Sequence, residues 1–367
     1  MDPLLLGQRV VAILETGLRT ATYKLATLMA LIEHSIENLP ENPDDTLSVR
    51  LPELAHRVLV TYWRQVRPFD GHELRQSTQP RARILIATSQ LRAASGRAGS
   101  VEIARMRVPA DYQTAIESIV LCLAQQPLHR LQRLPGGTAS DPFLYDDSFL
   151  HDHVSRSTLL ASGDAIVLRP GVAAGLARLA GLLKPALEIM WVEDVRRMNK
   201  FLDAEVPDVA GHLFGRERTA LSAVREPFKA AFGPHCFYCG VRLPANNPID
   251  HVLPWSLVGI DGLSNLVLAC ARCNGDKSGA LPAVGLVDRV LRRDRQVLEK
   301  IASVLQWPTQ HDRVISAARG LYRGQPAGVP TWSGYRQHER LDISFPPSWV
   351  HQSPQRSIGR LRRIEPR

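Results

Sequence analysis

The sequence predicts an α+β protein: a mainly α-helical N-terminal region, then a small zinc-stapled unit of two strands and a helix, then C-terminal helices. Three observations carry that prediction. Apolar residues recur near helical spacing through most of residues 8–202. Four of the five cysteines stand as two CxxC pairs, Cys236/Cys239 and Cys270/Cys273. Between the pairs the chain breaks into short apolar runs bounded by Pro, Gly and Asp, as short strands require.

Taken in order, residues 8–38 read as one long helix whose apolar stripe holds Val10, Ile13, Leu14, Leu18, Leu25, Leu28, Met29 and Ile32. Pro40 and Pro43 end it, because neither can continue the hydrogen-bond ladder. LPELAHRVLVTYWRQV (51–66) starts a second helix with Pro52 suited to its first turn. A third covers 81–95 and a fourth 110–128. From 143 to 169 apolar runs split by Asp, Ser and Gly suit a small hairpin, and after Pro170 a helical pattern runs to about 202. Periodicity fails in DAEVPDVAGHLFGRE, which sets a domain boundary between 203 and 220. Beyond the cysteines, 284–307 reads as one helix and 311–322 as a shorter one. The expected organisation is a helical domain over 1–205 that targets, regulates or oligomerises, a catalytic unit over 215–285, helices 286–322 packed on that unit, and a partly mobile Pro/Arg-rich tail over 323–367.

The whole chain, 367 residues, is long for one domain at roughly 150 residues per domain. A net charge of +9 and a pI near 9.6 point to a polyanionic partner, since Lys and Arg release counterions from a phosphate backbone. Nine arginines between 64 and 107 are candidates for a phosphate-contacting face; scattered solvated arginines are the competing reading. The N-terminus has no basic n-region, and no run approaches ~18 uninterrupted apolar residues, so a cytoplasmic protein without membrane contact is expected. Cys122 lies in the apolar ESIVLCLA and reads as a buried helix residue; His151, Asp152 and His153 read as exposed loop.

The chemistry concentrates in 236–279. Two CxxC knuckles presenting Cys236, Cys239, Cys270 and Cys273 make a closed tetrahedral zinc site, which leaves no position for water or substrate and is therefore structural. What lies between is more specific than a zinc ribbon needs: Asp250-His251 at the end of one strand, a loop, NLVLA as a second strand, then the second knuckle opening a helix with Asn274 and Lys277.

Cys236-x-x-Cys239, Asp250-His251, Asn265 and Cys270-x-x-Cys273-Asn274-x-x-Lys277 resemble the HNH nuclease family, with Asn in the third signature position. The resemblance covers some 45–60 residues and implies the ββα-metal fold and phosphodiester hydrolysis. It makes His251, whose unperturbed pKa is about 6.5, the general base that deprotonates water. Asp250 and Asn274 become oxygen ligands to a catalytic Mg²⁺ or Mn²⁺. Asn265 either ties down the loop or accepts from the His251 ring, and Lys277 contacts the scissile phosphate or its neighbour. Trp255 and Ser256 are groove candidates. The expected substrate is double-stranded DNA, cut in restriction or defence against foreign DNA; a homo-oligomer or partner protein would dock through the helical domain. The alternatives are an RNA-directed nuclease or toxin, and a zinc module that binds nucleic acid without cutting.

Overall fold

Every residue from Leu25 to Glu37 is buried, so the helix they form has no solvent face. A helix enclosed all round belongs at the centre of a core, and the rest of the N-terminal region assembles around it. In chain order the elements are α1 (Pro3–Glu15), α2 (Tyr23–Glu37), β1 (Leu47–Arg50), α3 (Leu51–Gln65), α4 (Arg83–Ala94), α5 (Val101–Arg107), α6 (Pro109–Leu123), α7 (Arg156–Ala161), β2 (Ala165–Leu168), α8 (Val172–Met198) and α9 (Val209–Phe214). The structure, a computed structural model, describes residues 2–15, 20–79, 82–133, 142–203, 208–214, 221–342 and 347–351. It is α+β throughout these residues, helices joined by three two-stranded antiparallel sheets.

Charge inside that core is paired, as its desolvation demands. Glu37 of α2 accepts from Arg57 of α3 at 2.7 and 2.8 Å and from Arg313 at 3.0 Å. Glu33 accepts from Lys184 of α8 at 2.6 Å, and the same ammonium donates to the carbonyl of Leu257 at 3.0 Å. Helices from both ends of the chain thus meet on α2.

Several sequence expectations need correction. Residues 8–38 form two helices: just before α2, Ala21 bridges Ser77 antiparallel, Thr22 donates its N–H to Gln76 at 3.1 Å and Thr78 to Thr20 at 2.8 Å. Within 143–169 the expected hairpin is reduced to one antiparallel bridge, Tyr145 opposite Leu168, with Arg169 N–H donating to the Leu144 carbonyl at 2.8 Å; β2 otherwise pairs with distant β1, Leu47 opposite Leu168 and Arg50 opposite Ala165. Short helix α5 was not foreseen, although Ser100 caps it through Ile103 N–H at 3.3 Å. The boundary segment 203–220 is described only in part, and its α9 folds back so that Phe214 packs edge-on against Trp191 at 5.6 Å.

The C-terminal half contains α10 (Arg225–Phe232), β3 (Ile249–His251), α11 (Trp255–Val258), β4 (Leu266–Leu268), α12 (Ala271–Lys277), α13 (Val284–Leu291), α14 (Arg295–Leu305), α15 (His311–Arg323), β5 (Pro330–Gly334) and β6 (Gln337–Arg340). The expected single helix over 284–307 is two. Asp294 caps α14 by accepting from Gln296 and Val297 N–H at 2.8 and 3.4 Å, while Arg293 turns back to the carbonyls of Leu263, Ser264 and Leu266. Within the Pro/Arg-rich tail expected to be partly mobile, residues 330–340 form the β5–β6 hairpin, anchored by fully buried Trp332; the basic arm 352–367 lies outside the described residues. No helix of the described residues is long and apolar enough to cross a membrane.

Helix α15 touches the cysteine-bearing unit through the 263–265 turn but packs chiefly on α2, and next on the 348–351 turn. At Gly320 a Cβ would fall 1.7 Å from the carbonyl oxygen of Ile36, so the two helix backbones meet with no room for any side chain. Gly320→Ala is expected to destabilise the protein by about 3 kcal/mol or more, since backbone rather than a movable side chain must shift. A chemical-denaturation midpoint checks this, and an unchanged midpoint would refute the close approach.

Candidate active site and zinc centre

The four cysteine Sγ atoms lie within 4.8 Å of one another, with Cys239 and Cys270 at 3.8 Å. Tetrahedral Zn²⁺ with bonds of about 2.3 Å separates its sulfurs by roughly 3.8 Å, so the cluster fits that ion. The first knuckle turns at Gly240, where φ is +73°, and Gly240 N–H closes it on the Cys236 carbonyl at 2.9 Å. Cys270 caps α12, its Sγ accepting from Cys273 N–H at 3.4 Å, and Cys236 Sγ accepts from Cys270 N–H at 3.3 Å. Burial raises the Cys236 thiol pKa, and backbone donors from Cys239, Cys270 and Tyr238 work against that rise. Cys122 is buried in α6, apart from this group. His151, Asp152 and His153 are exposed, and Asp152 is taken by Arg130 at 2.6 Å.

The cysteine cluster ties the start of the unit to α12, beside the antiparallel pair β3–β4, in which Asp250 faces Val267 and His251 faces Leu266. Strand alternation sends the Asp250 and His251 side chains to opposite faces. On one face Asp250 Oδ2 accepts from Tyr238 Oη at 2.6 Å and lies 3.1 Å from Lys277 Nζ. Both members of that ion pair are fully buried, and Lys277 also donates to the His251 carbonyl at 2.7 Å. The ammonium is turned into the domain, so the phosphate contact expected of Lys277 gives way here to a clamp on the strand end. Asn274 sits half-buried on α12, one turn ahead of Lys277 and thus on the same side of the helix.

On the other face the His251 ring, 1% exposed, meets an aspartate that sequence reasoning passed over: Nε2 is 2.7 Å from Asp261 Oδ1. Burial alone would raise the Asp261 carboxyl pKa. The hydrogen bond and charge of His251, with Arg64 and Arg313 beyond, hold it below its ordinary value. An ionised carboxylate only accepts, so Nε2 carries a proton; in the neutral form of the ring the lone pair then lies on Nδ1. Among the described residues Nδ1 has no hydrogen-bond partner.

Asn265 does not orient the ring. Its Oδ1 accepts from Leu253 N–H at 2.8 Å, and its Nδ2 donates to the carbonyls of Leu253 and Ile260 at 3.1 Å each. The amide closes the loop between the strands, one of the two expected roles. Trp255 lies beneath Arg64 of α3, guanidinium carbon 4.7 Å from the ring centre, so here it joins the two halves of the chain. Asp261 and Tyr238 belong to no spacing motif; an acidic residue between two glycines in GIDG was the sequence's one hint of the former.

Residues 236–283 match the family model described as HNH endonuclease, so the strand, loop, strand and helix built on these cysteines are an HNH endonuclease domain, a nuclease class that acts on nucleic acid with the aid of metal. Residues 6–213 match the model described as Domain of unknown function (DUF8808), and as this spans more than half of the sequence, the chain belongs to that family. Among the curated proteins nothing matches, and no solved structure matches.

Proposed function

We propose that the chain is a metal-dependent endonuclease that hydrolyses phosphodiester bonds in DNA, with His251 as its general base. The observation that carries this reading is the state of the His251 ring: Nε2 bound to a carboxylate at 2.7 Å, Nδ1 without a hydrogen-bond partner among the described residues. A buried ring nitrogen left in that state costs about 1–3 kcal/mol, which a water accepted at Nδ1 would recover. In the reaction that water's O–H bond breaks with the proton passing to Nδ1; its oxygen bonds phosphorus, and the bond from phosphorus to the leaving oxygen breaks, that oxygen taking a proton from solvent. Asp261 holds the imidazolium that results. With so little of His251 exposed, substrate entry requires side-chain movement at this face.

Asp250 and Asn274 would hold Mg²⁺ or Mn²⁺: a carboxylate and an amide oxygen are the hard donors such ions take, and Asn274 stands one helical turn before Lys277, which reaches Asp250. Such an ion stabilises negative charge on the phosphate and leaving oxygen. Tyr238 and Lys277 fix the Asp250 carboxylate from the Oδ2 side. Zinc at the four cysteines is structural.

DNA as substrate is supported by the net charge of +9 and by arginines beside the site. Burial first, then the charges of Arg92 and Arg64, depress the Arg67 guanidinium, while burial and then Arg97 depress Arg92. Like charges crowded in this way are relieved by phosphate. A role in restriction or defence follows from the same reading. The test is incubation of the zinc-loaded protein with plasmid, single-stranded DNA and RNA, in Mg²⁺ or Mn²⁺ and in EDTA. Cutting of the plasmid that EDTA abolishes is expected; cutting of RNA alone would overturn DNA as substrate, and no cutting of any substrate would leave a non-catalytic zinc module.

A further inference from the structure

The loop that carries Asp261 is built from both ends of the chain. Its backbone is held by Trp307, whose Nε1 donates to the Asp261 carbonyl at 2.7 Å, and by Asn265, which donates to the carbonyl of Ile260 at 3.1 Å. Leu263 and Ser264 N–H donate to Pro308 and Thr309 at 3.1 and 3.0 Å. Gly262 has no room for a Cβ, which would sit 2.6 Å from the Thr309 carbonyl oxygen, and Gly259 turns at φ +55°. The result is a carboxylate whose two oxygens face two partners: Oδ1 meets His251 at 2.7 Å, and Oδ2 meets Arg64 Nη2 at 3.4 Å. Arg64 itself is steadied over Trp255.

We propose that Asp261 is the positioning residue of His251, and that the N-terminal domain contributes Arg64 to hold Asp261 in place. The HNH domain is therefore completed by a side chain 197 positions away from Asp261 in sequence. Asp261 selects the tautomer with hydrogen on Nε2 and leaves Nδ1 to the water; Arg64 engages the other oxygen and keeps the carboxylate from rotating off the ring. An amide in place of the Asp261 carboxylate could not do this, since a neutral amide can donate to the ring nitrogen as readily as accept from it.

The inference rests on the general-base reading of His251, and two readouts separate their failures. In cleavage kinetics Asp261→Asn is expected to lower kcat by about 10- to 100-fold, with KM within about twofold of wild type, as loss of an orienting partner does. Asp261→Glu should recover part of kcat, and Arg64→Leu should fall between wild type and Asp261→Asn. By ¹⁵N spectroscopy of the imidazoles, with the His251 signal identified by its loss in His251→Ala, the wild type should hold hydrogen on Nε2 and Asp261→Asn should lose that preference. An unchanged tautomer in Asp261→Asn overturns the inference even if no substrate is cut. Wild-type kcat in Asp261→Asn, alongside an inactive His251→Ala, overturns it while the nuclease reading stands. Wild-type kcat in Arg64→Leu overturns the part assigned to the N-terminal domain.

Discussion

Cys236→Ser is expected to release zinc and unfold residues 236–279, while the helical domain stays folded. The reason is size. Strands β3 and β4 have three residues each and α12 has seven, too little to order themselves without a staple. Binding of a structural zinc by small peptides supplies about 10–16 kcal/mol at neutral pH, and a serine oxygen in place of a thiolate forfeits a large share of it. Cys236 also accepts from Cys270 N–H at 3.3 Å, so the substitution loosens the link between the two knuckles directly. Metal analysis should find about one zinc per wild-type chain and little in the variant. Hydrogen exchange should show loss of protection confined to the catalytic unit and its immediate supports. Cys122→Ser, buried in α6, is the control and should keep its zinc. Absence of zinc from the wild type would refute the four-cysteine centre.

Lys277→Met should destabilise the catalytic unit by about 3–5 kcal/mol, because removing one member of a fully buried ion pair strands the other. Met matches the aliphatic stem, so the lost quantity is the charge and its bonds to Asp250 Oδ2 and the His251 carbonyl. The two roles considered for this lysine predict different results. A phosphate contact would raise KM and leave stability alone; a buried clamp lowers the denaturation midpoint. A midpoint equal to wild type would contradict the burial described here.

How far the sequence carried depended on whether a contact was local. The CxxC pairs are visible because each knuckle is four residues long, and the order strand, loop, strand, helix is visible because Pro254 and the glycines of GIDG punctuate it. Helices α3, α4, α6 and α8 follow from apolar period alone, within a few residues at their ends. What escaped was set by partners far along the chain. The break before α2 comes from pairing with residues 76–78, and β2 waits for β1 rather than for a neighbour of its own. Asp261 was hidden for the same reason: ten residues from His251, it reads as turn chemistry until folding brings the two side chains together. Arg64 was noticed only as one basic residue among nine, and its contact with the catalytic unit has no local signature. Lys277 was legible as a member of Asn-x-x-Lys, yet its direction was not, since spacing on a seven-residue helix does not say whether an ammonium faces phosphate or a buried carboxylate.

The central claim, that His251 is the base of a working nuclease, is tested most directly by plasmid cleavage with Mg²⁺ or Mn²⁺, comparing wild type with His251→Ala at equal zinc content. The wild type should nick or linearise the plasmid, and the variant should lose the factor of roughly 10² to 10⁴ that a general base supplies. Equal cutting by the two proteins would contradict the assignment.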